Sequence, residues 1–140
     1  MRYMMIYKTA EESPGCAGTA PNPALMAAMD TLIGDMTRTG TLLATDGLWP
    51  SAEGKRMRLA GGRVTVTDGP FTETKELIAG YAIVRVQSEA EAVALAQRFL
   101  EIHANVLGAS YVGESEIRRM YDAEDFAPSA AIHEHAGTHA

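Results

Sequence analysis

Ile78-Ala79-Gly80-Tyr81-Ala82-Ile83-Val84-Arg85-Val86-Gln87-Ser88-Glu89-Ala90-Glu91 contains the change of period that decides the fold. Up to Val86 the chain alternates, with Gly80, Ala82, Val84 and Val86 on one face and Tyr81, Ile83 and Arg85 on the other, which predicts a strand. Ser88-Glu89-Ala90-Glu91 then forms a capping box, in which the serine side chain and the glutamate three residues later satisfy each other's unpaired amides. Beyond it Ala92, Ala96, Phe99, Leu100 and His103 recur at helical spacing. A last strand is predicted from Val112 to Arg119.

Upstream, Lys55 to Thr67 reads as a β-hairpin. Met57 and Leu59 alternate with Arg56 and Arg58, Val64 and Val66 alternate with Arg63 and Thr65, and Gly61-Gly62 supplies the two-residue turn. Asp68-Gly69-Pro70-Phe71 follows as a tight turn. Earlier still, Asn22 can cap a helix with Pro23 in its first turn, and Leu25, Met29, Leu32, Ile33 and Met36 share a face until Gly40 ends it. Leu42 to Leu48 is a second strand, where Asp46-Gly47 suggests a bulge or a strand end facing a cavity. Arg2 to Lys8 is the first strand, apolar on both faces. Thr9 to Pro21 has no periodicity and reads as a connection that either spans a gap or lids a site.

The order is strand, helix, strand, hairpin, strand, helix, strand: an α+β domain of ferredoxin-like type, a βαββαβ split repeat with a β-hairpin inserted between its halves. Residues 1–121 form that domain and residues 122–140 a flexible, alanine-rich tail. Two helices cover only one face of a four-stranded sheet. Tyr3, Met5, Tyr7, Tyr81 and Ile83, or their alternating neighbours, must occupy the other, so a homodimer stacking sheet on sheet is expected.

At 140 residues the chain suits one core. A net charge of −6 with interspersed signs offers no basic track for a phosphate backbone, so no nucleic-acid partner is expected. No apolar run is long enough for a membrane span and no signal peptide is apparent, which points to a cytoplasmic location. Cys16 is the single cysteine, which rules out an internal disulfide and a cysteine-based zinc site; without a nearby cation it reads as incidental. His133, His135 and His139 in the tail lack a carboxylate frame, and no metal site is assigned to them. No cofactor is expected, since neither a phosphate-cradling glycine loop nor a metal-ligand spacing is present.

Val64-Thr65-Val66-Thr67-Asp68-Gly69-Pro70-Phe71-Thr72-Glu73-Thr74-Lys75-Glu76-Leu77-Ile78-Ala79-Gly80-Tyr81 resembles the signature of the YCII-related family, in the branch named for its Asp-Gly-Pro-Phe turn. The likeness extends through Met1 to Tyr7, Gly40 to Leu48 and Glu114 to Arg118. It implies a ferredoxin-like fold assembled as a dimeric α/β barrel. Some relatives use a histidine and an aspartate in the first half of the domain for proton transfer on small organic acids. Residues 1–102 here contain no histidine, so that pair does not carry over. The branch is also similar to a group encoded beside extracytoplasmic-function sigma factors, which implies a regulatory, stress-related setting.

Asp68, held beside a glycine and a proline, is a candidate general base, or else an Asx-type turn cap. Asp46 is its candidate catalytic partner, because two neighbouring carboxylates can divide into an acid and a base. Arg85 suits a substrate carboxylate or an interface ion pair. Phe71, Glu73, Lys75 and Tyr81 are candidate ligand contacts, against the plainer readings of a core plug and a solvated turn. His103 is a candidate ligand contact or a satisfied structural histidine. The function read from these residues is binding of a small polar or carboxylate-bearing molecule near the Asp-Gly-Pro-Phe turn, with cofactor-independent acid/base activity in prospect. The alternative is a noncatalytic regulatory or accessory protein acting through protein contacts.

Overall fold

A computed structural model of the chain describes residues 1–9, 22–70 and 77–126. Six strands and two helices follow in the order β1 (Arg2–Thr9), α1 (Pro23–Arg38), β2 (Leu42–Gly47), β3 (Lys55–Ala60), β4 (Arg63–Asp68), β5 (Leu77–Arg85), α2 (Glu89–Leu107) and β6 (Gly113–Arg119). β2, β5, β1 and β6 form one antiparallel sheet in that spatial order, while β3 and β4 form a separate two-stranded sheet. Leaving out the β3–β4 ribbon, this is the ferredoxin-like βαββαβ arrangement, with both helices on one side.

Both helices start where their caps dictate. The Asn22 side chain accepts from the amides of Ala24 and Leu25, and Ser88 accepts from the amide of Glu91 while Glu91 accepts from that of Gln87. Each satisfies donors that the helix itself cannot, worth about 1 kcal/mol per cap. Leu32 and Met36 of α1 and Ala92 and Ala96 of α2 close over Tyr3, Met5, Val84 and Val86 of the sheet region. Asp35 ties the helices together, accepting from Arg98 at 2.7 Å and from Arg38 at 2.5 Å. Those two guanidiniums, Arg98 foremost, hold its carboxyl below the ordinary carboxylate range.

Several local expectations are revised. Tyr3, Met5 and Tyr7 lie on the helix side, buried; their neighbours Met4 and Ile6 take the open face. Both sets are apolar, so alternation alone could not orient the strand. β2 ends at Gly47 rather than Leu48 and its irregularity falls between Leu42 and Ala44, so of the two readings of Asp46-Gly47 the strand end bordering a cavity holds and the bulge does not. Ordered structure also runs past Tyr121: Arg2 Nε donates to Asp122 at 2.9 Å, and Ala123–Phe126 forms a 3₁₀ turn. The rest of the tail and the Thr9-to-Pro21 connection, except Thr9 itself, lie outside the described residues. Among the described residues no helix is long and apolar enough to cross a membrane.

The hairpin forms as read, in register Met57↔Val66 and Leu59↔Val64. Gly61 and Gly62 both take positive φ, 58° and 74°, as a turn matching strand twist requires. Every residue of β3 and β4 is exposed.

Candidate active site

A cavity of about 320 Å³ lies between the helix-side face of the sheet and the two helices. Most of its wall is apolar: Leu25, Met26, Met29, Leu32, Ile33 and Met36 come from α1, and Met5 from β1. Methionine is unbranched and polarizable, so four such side chains can repack around guests of different shape. Tyr7, Thr45, Ser115 and His103 are among its polar residues, and Asp46 and Tyr81 also border it.

His103 is 5% exposed and belongs to an aromatic cluster. Its ring centroid stands 4.5 Å from that of Phe99, 5.1 Å from Tyr7 and 5.7 Å from Tyr111. Tyr7 also meets Phe99 edge to face at 5.0 Å. The hydroxyls of Tyr7 and Tyr111 share a hydrogen bond. Gly113 makes room for that pair, because a Cβ there would lie 2.7 Å from the Tyr7 hydroxyl.

The histidine's tautomer follows from its partner. Nδ1 lies 2.9 Å from the carbonyl oxygen of Phe99, which can only accept, so Nδ1 carries the proton and the neutral ring keeps its lone pair on Nε2. An imidazole oriented by a backbone carbonyl and bordering a cavity has the form of a general base.

The family model for the YCII-related domain matches residues 1–112. The chain belongs to that family. No curated protein matches it. Among solved structures it is similar to 5-chloro-2-hydroxyhydroquinone dehydrochlorinase from Burkholderia phenoliruptrix AC1100, in complex with 2,5-dihydroxybenzoquinone. The identity is 11% and the TM-score 0.41, over 89% of this chain and 98% of that one.

The residues singled out in this YCII-related chain scatter. Asp68 sits at the end of the β3–β4 ribbon, exposed, with its carboxylate 2.5 Å from Lys55 Nζ, and it does not border the cavity. Asp46 and Tyr81 are paired across β2 and β5, the tyrosine hydroxyl donating to the carboxylate at 3.3 Å. Both border the cavity, yet alternation from Tyr7 and Met5 assigns their side chains to the open face with Ile6. The expected Asp46–Asp68 pairing is therefore replaced by Asp46–Tyr81 and Asp68–Lys55. Arg85 is exposed, opposite Arg2 in the sheet register, and does not border the cavity. Phe71, Glu73 and Lys75 lie outside the described residues. Among the described candidates, His103 alone is buried at the cavity.

Sequence reasoning missed Tyr7, Tyr111 and Ser115. The available signal was Phe99 and His103, four apart on one helix face, which needed aromatic company from strands brought in by the fold.

Proposed function

We propose that this chain binds a small, largely apolar ring compound bearing a hydroxyl or carbonyl group in the helix–sheet cavity, with His103 as a proton acceptor and donor. The observation that carries this reading is that His103 borders the cavity with its Nδ1 hydrogen-bonded to the Phe99 carbonyl, which leaves the acceptor role to Nε2. The volume stands at the low end for small-molecule sites, and its mix of apolar wall with a few polar groups is typical of them. No Lys or Arg is among the described residues bordering the cavity, which favours a neutral hydroxyl or carbonyl over a free carboxylate. Nε2 takes a proton from an acidic O–H or C–H of the guest and returns it elsewhere on the same molecule, so the exchange needs no oxidant and no cofactor.

Two copies are proposed to pair through the open sheet face. Met4, Ile6 and Ile83 are half-buried there in the single chain, on the side opposite the helices. Stacking a second apolar face on them completes their burial.

A thermal-shift screen against simple phenols, lactones and small carboxylic acids tests the ligand reading on three proteins: wild type, Met29→Trp, which fills the cavity, and Asp68→Asn. A guest at about a hundredfold its dissociation constant adds about 2.7 kcal/mol. Phenols or lactones should raise the Tm of wild type and Asp68→Asn alike and leave Met29→Trp unmoved. Equal shifts in wild type and Met29→Trp, or no shift with any compound, would overturn the assignment.

A further inference from the structure

We infer that Tyr7, positioned by Tyr111, is the oxyanion donor of the helix–sheet cavity, and that the guest is an enolisable ring ketone or lactone. This rests on the guest-binding reading above and names the substrate class of that same site. When His103 takes a hydrogen from the carbon beside a carbonyl, the C–H electron pair becomes a C=C bond and the carbonyl oxygen gains the negative charge. The abstracted proton sits on Nε2 and returns to that carbon or to one conjugated with it, which restores the carbonyl. A hydrogen-bond donor fixed where the charge appears lowers the barrier. No Lys or Arg is among the described residues bordering the cavity, so the described wall can supply that donor only through neutral groups.

Among the described residues, the hydroxyls bordering the cavity belong to Tyr7, Thr45, Tyr81 and Ser115. Thr45 donates to the carbonyl of Tyr81 at 2.9 Å, and the Tyr81 hydroxyl donates to Asp46. Of the other two, a phenol is a stronger donor than an aliphatic alcohol, and Tyr7 is the one whose ring lies against that of His103. Its ring is fixed as well: it is buried, meets Phe99 edge to face, has its room made by Gly113 and shares a hydrogen bond with Tyr111. With Tyr111 donating and Tyr7 accepting, the Tyr7 hydrogen is left for the guest oxygen, and a hydroxyl that accepts one bond donates the next more strongly. Tyr111 is half-buried and does not border the cavity, so it acts through Tyr7 as a positioning residue.

The test follows deuterium uptake beside the carbonyl of the bicyclic ketone β-tetralone, by proton NMR in heavy water over a range of ketone concentrations. It is run on wild type, His103→Phe, Tyr7→Phe, Tyr111→Phe and Tyr7→Phe/Tyr111→Phe, with circular dichroism to check folding and thermal melts to report binding separately. Wild type should exchange faster than buffer and His103→Phe should not. Tyr7→Phe should lower kcat about a hundredfold or more with little change in KM, and Tyr111→Phe about tenfold. The double variant should be no slower than Tyr7→Phe alone, because Tyr111 acts only through Tyr7. Exchange by Tyr7→Phe at the wild-type rate, or a loss confined to KM, overturns the donor; a double variant slower by the full product of the single losses overturns the role of Tyr111. A wild type that binds the ketone without exchanging it overturns the enolate step and leaves guest binding standing, whereas neither binding nor exchange overturns both.

Discussion

His103 Nδ1 stands 2.9 Å from the Phe99 carbonyl oxygen, one turn earlier on the same helix, inside a cluster completed by two tyrosines from elsewhere in the chain. Packing and chemistry at this position are separable. His103→Phe keeps a ring among Tyr7, Phe99 and Tyr111 and should unfold within about 1.5 kcal/mol of wild type. His103→Ala leaves a void there and should cost about 3 kcal/mol. Ligand-induced thermal shifts should vanish in both variants; a shift retained by His103→Phe would assign the histidine to packing alone.

Gly113 sets the space for the tyrosine pair. In Gly113→Ala the added methyl meets Tyr7 and Tyr111 in a region where Tyr7 is only 7% exposed, so the rings must move. Chemical denaturation should register a loss of about 1–3 kcal/mol. The change should propagate to the cavity through Tyr7, lowering guest affinity, and unchanged stability would mean that the pair yields without strain.

Asp35 makes the contact between α1 and α2 sensitive to acid. Its folded-state pKa is depressed, so the stability it contributes is present above the ordinary carboxylate value of about 4 and is lost as pH falls through its lower folded value. Asp122 behaves in the same sense because Arg2 hydrogen-bonds its carboxylate. Melting curves between about pH 5 and pH 2 should therefore fall more steeply for wild type than for Asp35→Asn/Asp122→Asn. Parallel curves would show that neither pair bears on folding.

Local chemistry accounts for how much of this was readable beforehand. Asn22, Ser88 and Glu91 announce their helices by side-chain donors and acceptors within a few residues, and Gly61-Gly62 announces its turn by permitted dihedrals. Those signals are short-range, and the structure keeps them. Tyr3, Met5 and Tyr7 could not be oriented, because Met4 and Ile6 are equally apolar and the choice of face depends on helices far along the chain. Asp46 and Asp68 resemble each other in sequence, each a carboxylate beside a glycine at a strand end. One belongs to the main sheet and the other to a ribbon set apart from it, a separation decided by β5 taking β2 as its neighbour. The cavity histidine was visible as a residue on an apolar helix face; its partners were not, since Tyr111 and Tyr7 reach it only through tertiary packing.

The placement of β1 also governs how the chain can fold. Arg2–Thr9 hydrogen-bonds on one side to residues 77–85 and on the other to residues 113–119. This strand, apolar on both faces, finds its two partners only after residues 77–119 have been made. Contacts so distant in sequence carry a high loop-closure cost and favour slow folding, during which Met4, Met5 and Ile6 are a natural segment for a holding chaperone to grip.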